Sequence, residues 1–223
     1  MYGLGRLVLI LFAIGLLGVA GWQGATRWRP SVEKFPVQGI DVSEANGAVE
    51  WPVVAGGGAD FAYATATHGR QRDSRFEENW HGIATAGLRR GAVHVWSLCL
   101  LGVDQANAFN TIVPRDTAAL PVAIDVDYAP GCDARPDRAV LVREIAQAAT
   151  MIEAHMGKPV LLRVSRDVEG DYDLASALPR TIWAAATFFP PDYATRPWRM
   201  WRASDMRRVD GIEGPVNWNV AAP

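Results

Sequence analysis

The stretch Leu120-Pro-Val-Ala-Ile-Asp-Val-Asp-Tyr128 decides how this chain folds. Val122, Ile124 and Val126 hold one parity, and Ala123, Asp125 and Asp127 hold the other. A strand alternates its side chains between faces, so both carboxylates leave on the same side, one pleat apart. The remainder reads as a buried strand. Two like charges side by side on an inward face destabilise a fold and raise at least one pKa. Such a pair is either a knot of hydrogen bonds or a place where chemistry is done, and this stretch alone leaves both open.

Outward from it, short apolar runs alternate with helix-like segments. VQGIDVS (37–43), DFAYATATHG (60–69) and GAVHVWSL (91–98) read as three earlier strands. Phe76, Trp80, Ile83 and Ala84 recur at helical spacing, and Ala106, Phe109 and Ile112 mark a shorter helix. The longest amphipathic helix runs from about Pro136 to His155 and stops at Gly157. KPVLLRVS (158–165), RTIWAAATF (180–188), PWRMWRASD (197–205) and GPVNWNV (214–220) are further strands, without long helices between the late ones. Alternating strands and helices argue for a parallel sheet with helices outside. A regular barrel needs about 250 residues, so the expectation is an irregular, flattened α/β barrel, TIM-like, with a C-terminal third that is mostly β.

Before it, Leu7–Thr26 is 20 residues without a charge, long enough to cross a bilayer. A cleaved signal peptide is the alternative, with Gly18-Val19-Ala20 as its small-x-small site. An uncleaved anchor is preferred, because the run exceeds the usual h-region of about 7–15 residues and Trp22 and Trp28 sit where an interfacial belt would be. The expected division is an anchor over 1–30, a linker over 31–36 and the barrel over 37–223, outside the cytoplasm. The chain is formally −2; residues 1–34 carry Arg6, Arg27, Arg29 and Lys34 against Glu33, which leaves −5 for the rest. An acidic domain without a basic run is a poor nucleic-acid binder. With only Cys99 and Cys132, a zinc knuckle or disulfide framework is excluded.

In a parallel barrel the C-terminal strand ends share one face, where chemistry is placed. Asp41 ends the first strand, His94 and Trp96 the third, and Asp125 and Asp127 the fourth, with parities that agree with pointing inward. Three acids on one face favour a site over a structural knot.

At this point the chain resembles a family. GIDVS, ADFAYATATHG, AGLRRGAVHVW, LPVAIDVD, MWRASD and GPVNWN, in that order over Gly39 to Val220, are similar to glycoside hydrolase family 25, the Chalaropsis-type lysozymes. The resemblance implies a muramidase that cleaves the β-1,4 bond between N-acetylmuramic acid and N-acetylglucosamine in peptidoglycan, as a monomer without metal or organic cofactor. It makes Asp127 the proton donor, Asp125 the stabilising anion and Asp41 a third carboxylate. The family glutamate at position 127 is an aspartate here. Asn217 replaces a last-strand aspartate, His68 a glutamate and Arg163 a tyrosine, while Trp201-Arg202-Ala203 stands for Trp-Gln-Tyr. A catalytically silent peptidoglycan-binding domain is therefore the second expectation. His94, Trp96, Trp201 and Trp218 are candidate sugar contacts or core residues. Arg163 and Arg202 either bind an acidic group of the substrate or pair with Asp125 and Asp127 and close the site.

Cys99 and Cys132 each lie five residues beyond a strand-end residue of neighbouring strands, His94 and Asp127. A disulfide on one rim is the expectation, and two unpaired thiols the alternative.

Overall fold

The structure, a computed structural model, describes residues 2–223. In chain order the elements are α1 (Tyr2–Arg27), β1 (Gln38–Val42), a 3-10 turn at Glu44–Asn46, α2 (Trp51–Gly56), β2 (Phe61–His68), β3 (Gln71–Arg72), α3 (Phe76–Thr85), β4 (Arg89–Val95), α4 (Gly102–Ile112) and β5 (Ala123–Val126). Then come α5 (Arg138–Met156), β6 (Leu161–Val164), α6 (Arg166–Tyr172), α7 (Leu174–Ala177), β7 (Thr181–Ala185), β8 (Trp198–Arg207) and β9 (Val216–Ala221).

Eight strands close a barrel in the order β1-β9-β8-β7-β6-β5-β4-β2, and β2 returns to pair with β1. The neighbours from β1 through β2, β4, β5, β6 and β7 to β8 run parallel, as the alternating pattern predicts. β9 departs from it, lying antiparallel to both β8 and β1. With no helix after β7 or β8, a tight reversal between β8 and β9 is what the short connection allows. β3 is a two-residue hairpin on β2 that the periodicity did not reveal.

Strand parity sorts the core into two clusters. Ile40, Ala62, Ala92, Ile124, Leu162 and Ala184 face outward beneath the helices. α5 covers this layer with Leu141, Ile145, Ala148, Ala149, Ile152 and Met156, all buried, at the three- and four-residue spacing of one helix face. It ends at Gly157, whose φ of 71° is left-handed and open to glycine at little cost. The inner cluster is Phe61, Tyr63, Val93, Ala123, Leu161 and Trp183. Its large rings need room: a Cβ on Gly39 would lie 2.2 Å from the Phe61 carbonyl oxygen, and one on Gly91 would lie 2.3 Å from the Tyr63 ring. Glycines at inward positions of β1 and β4 thus admit the aromatic rings that fill the barrel floor.

α1 projects from the barrel with its apolar residues exposed, and Gly5–Arg27 is long and apolar enough to cross a membrane. Its last turn belongs to the domain. Thr26 is buried, and its carbonyl accepts from the Arg208 amide at 2.8 Å. Trp28 packs edge-on against Phe188 and Trp201, and Phe35 against Trp201. The Gln38 side-chain amide donates to the carbonyls of Pro30 and Phe35. The segment expected as a linker over 31–36 therefore includes a buried anchor, Phe35.

Cys99 and Cys132 form a disulfide, with Cα atoms 5.9 Å apart and 33 residues between them in sequence. It ties the loop after β4 to the loop after β5. Closing a loop of that length stabilises by roughly 3 kcal/mol through the unfolded chain. Replacing both cysteines by serine is expected to lower the thermal midpoint by about 6–12 °C, read by circular dichroism, and Ellman titration of the unreduced, denatured wild type should find no thiol.

Candidate active site

The polar end of the barrel is built by register. Asp41 on β1 lies opposite Asn217 on β9, Asp125 on β5 opposite Arg163 on β6, and Arg202 on β8 opposite Asn219 on β9. All point inward, one level above the aromatic floor.

Arg163 is the hub. It is 4 % exposed; its Nη2 donates to Asp125 Oδ2 at 2.6 Å, and its Nη1 lies 3.0 Å from Asp41 Oδ1 in an ion pair too oblique for a hydrogen bond. Below, its guanidinium stacks over Trp183 at 4.8 Å. Asp41 is as buried, and both of its oxygens accept amide hydrogens, from Asn217 and Asn219 at 2.9 Å each. Burial alone would push Asp41 up, but Arg163, Arg202 and the two amides outweigh it and hold its carboxyl below the ordinary range. Burial likewise works against a charged Arg163, and Asp125 and Asp41 overcome it and raise its pKa. The arrangement is a buried carboxylate–guanidinium–carboxylate triad with Arg202 beside it.

Asp127 lies one residue beyond β5, exposed, its Oδ1 accepting from the Tyr128 amide at 2.8 Å. Asp125 is half-buried below it, so the pair leads from the barrel interior to its rim. His68 ends β2 on the same rim and is exposed; its Nε2 lies 3.4 Å from Asp73 Oδ2, and that contact raises its pKa. Among the described residues, Glu44, His68 and Asp73 bring ligand-type atoms within 4.8 Å of one another. These atoms hold the loop: Asp73 accepts from the amides of Glu44 and Arg75, and Glu44 accepts from Ser74.

The structure thus brings together Asp41, Asp125, Arg163, Arg202 and Asn217, with Asp127 and His68 at the rim. It does not bring His94, Trp96 or Trp201 there. His94 is in register with Ile124 rather than Asp125, so the expected inward parity is corrected: its ring faces the helical layer, edge-on to Phe109 and Trp96. A register shift on β2 between Thr65 and Thr67 puts Thr67 opposite His94, their side chains 2.6 Å apart. Trp96 shares that outward parity. Trp201 faces outward against Trp28 and Phe35 and donates to the Ala186 carbonyl, and Trp218 donates to the Gln38 side chain. These three tryptophans are fully or almost fully buried and serve packing. Asn219 is the functional residue that sequence reasoning missed; its place two residues after Asn217 on one strand gives it the same face.

Removing the guanidinium leaves both carboxylates of the triad without their shared partner, and breaking a buried ion pair in this way costs about 3–5 kcal/mol. Arg163→Met is expected to lose that much in urea unfolding, and adding Asp41→Asn and Asp125→Asn to it should recover most of the loss. His94 gives a separate pH signature. Burial pushes its pKa down to about 4, against about 6.5 unfolded. The unfolded chain then binds the extra proton between those values, so stability is fully present above pH 6.5 and falls as pH drops toward 4, by roughly 3 kcal/mol. His68, itself exposed but paired with the buried Asp73, works in the opposite direction and is partly screened by solvent, and Asp41 loses its contribution only below the usual carboxylate range. His94→Gln should flatten the urea midpoint between pH 6.5 and 4; an unchanged slope would exclude His94 as its source.

The profile of the family described as Glycosyl hydrolases family 25 matches residues 40–212. The uncharacterized protein YegX of Escherichia coli (strain K12) is 31 % identical over 194 residues, 83 % of this chain and 70 % of its own. Lysozyme M1 of Streptomyces globisporus is 31 % identical over 206 residues, 82 % and 67 % respectively. Among solved structures, a family 25 glycosyl hydrolase from Bacillus anthracis superposes with a TM-score of 0.79 at 28 % identity, covering 86 % of this chain and 91 % of its own. A bacterial lysozyme from Streptomyces coelicolor gives 0.73 at 26 %, covering 83 % and 91 %.

Proposed function

Because the chain belongs to glycosyl hydrolase family 25, we propose that it is a peptidoglycan hydrolase, and that the bond it cleaves is the β-1,4 link between N-acetylmuramic acid and N-acetylglucosamine. The observation that carries this reading is the Asp125–Asp127 pair, which leads from a buried charged cluster to an exposed carboxyl at the rim of the barrel. Glycoside hydrolysis needs an acid for the leaving oxygen and an anion for the positive charge that develops at the anomeric carbon. Asp127 is the proton donor and Asp125 the anion. With an N-acetylated sugar the acetamido oxygen attacks, and Asp125 orients and stabilises the cyclic cation, as in substrate-assisted hydrolysis. Asp41 and Arg163 set the position of Asp125. Asn217 and Arg202 line the floor beneath the sugar.

An aspartate at 127 reaches roughly 1–1.5 Å less far than a glutamate, about one carbon–carbon bond. A misplacement of about 1 Å costs on the order of a hundredfold in rate, so the enzyme is slow. The domain works outside the cytoplasm, where the disulfide is stable, held by α1 as an anchor.

One observation favours the second reading, a silent peptidoglycan-binding domain. Arg163 already occupies Asp125 at 2.6 Å, so part of the charge available to an oxazolinium-like cation is neutralised before substrate arrives.

Digestion of purified sacculi with mass spectrometry of the products separates the two. Asp127→Asn is expected to abolish muropeptide release, and Asp127→Glu to keep or raise it. Equal release from both variants, unchanged from the wild type, would remove Asp127 from the mechanism. Absence of release from the wild type between mildly acidic and neutral pH, with co-sedimentation on sacculi, selects the binding domain.

A further inference from the structure

A second charged site lies where α1 meets the barrel. Arg27, Arg207, Arg208 and Asp210, over Gly56 and Gly57, line a cavity of about 640 Å³. Arg29 joins them: its guanidinium and that of Arg207 both lie over the Trp218 ring, at 5.7 and 4.5 Å. Among the described residues, none of these four arginines has a carboxylate within 4.0 Å. Arg207 donates to the Arg27 carbonyl through Nη1, yet its Nε is buried without a partner. Burial, and then the neighbouring Arg29, lowers its pKa. Four cations with one nearby acid repel one another, and a bound anion would relieve that repulsion.

The location says which kind. The apolar span of α1 ends at Arg27, so with α1 as a membrane span these arginines would sit at the depth where headgroups begin. Exposed apolar side chains flank them. Val53, 42 % exposed, lines the cavity, and Phe189, 75 % exposed, follows Phe188, whose ring packs on Trp28. Basic groups set among exposed apolar ones at the end of an apolar helix match the headgroup–acyl boundary of a bilayer.

We infer that this pocket binds the phosphate of an anionic phospholipid and seats the barrel on the membrane surface. The inference rests on reading α1 as a retained anchor and is independent of whether the barrel hydrolyses glycan. It has a geometric consequence. β8 runs parallel to β7, β7 to β6 and β6 to β5, so Arg207 at the end of β8 shares the rim that carries Asp125. Seating the pocket on the bilayer would set that rim, with Asp125 and Asp127, beside the membrane.

Native mass spectrometry of the full chain in detergent micelles, titrated with phosphatidylglycerol or phosphatidylcholine, tests this. Preferential retention of phosphatidylglycerol is expected. The double variant Arg27→Gln/Arg208→Gln should weaken it by about fivefold per arginine while leaving phosphatidylcholine unchanged. Both side chains are exposed, so the variant should keep the wild-type thermal midpoint. Equal retention of the two lipids, or no effect of the double variant, would overturn the proposal. So would displacement of phosphatidylglycerol by an equal concentration of inorganic phosphate, which would make the pocket a site for the free ion. Flotation of the full chain with phosphatidylcholine vesicles reads α1 separately. No flotation removes the anchor and the lipid site with it, whereas flotation without lipid preference removes the lipid site alone.

Discussion

The ion-pair triad of Asp41, Arg163 and Asp125 is the constraint around which the upper half of the barrel is arranged. A guanidinium and two carboxylates inside a protein each lose several kcal/mol of hydration, and they are tolerated only when charge and hydrogen bonds are balanced together. Here the balance comes from five strands. β1 and β5 bring the carboxylates, β6 the guanidinium, β9 two amides for Asp41, and β8 a second arginine. Trp183 on β7 gives the cation a π face below. The barrel can close with this cluster inside it because Gly39 and Gly91 let the rings of Phe61 and Tyr63 fill the floor and exclude water from beneath.

That balance also shapes the chemistry. A site built to stabilise a developing cation works best with a carboxylate whose charge is available to the substrate. In this chain Asp125 is ion-paired with Arg163, and Asp127 is exposed one residue beyond the end of β5. The fold is that of a family 25 glycosyl hydrolase barrel, and Arg163 at the centre of its charged cluster offsets part of the charge of Asp125. The pairing that stabilises the buried charges therefore also lowers the negative charge that Asp125 presents to its surroundings.

The rest of the molecule orients that site. The disulfide joins the loops after β4 and β5, the second of which begins at Asp127. On the opposite flank, Thr26, Trp28 and Phe35 weld the end of α1 to β8 through backbone and ring contacts. The last turn of α1 is thus packed onto the same barrel that carries the charged cluster.

The sequence by itself determined the eight barrel strands, the helices over α3, α4 and α5, the apolar N-terminal span and the inward face of Asp41 and Asp125. Each follows from local periodicity, because a period of two or of 3.6 is imposed by backbone geometry whatever the neighbours do. Tertiary structure alone decided the rest. Whether His94 faced the site depended on its register with β5, which places it opposite Ile124 and beneath α4. Tryptophans at strand ends read equally well as sugar contacts or as core, and only the packing of Trp28 and Phe35 assigned Trp201 to the core. Arg163 could have met a substrate anion or the chain's own carboxylates. The choice fell to the carboxylates because adjacent strands lie about 4.8 Å apart, close enough for a guanidinium to reach Asp125 beside it and Asp41 across the barrel, and burial makes any unpaired charge there too costly to keep.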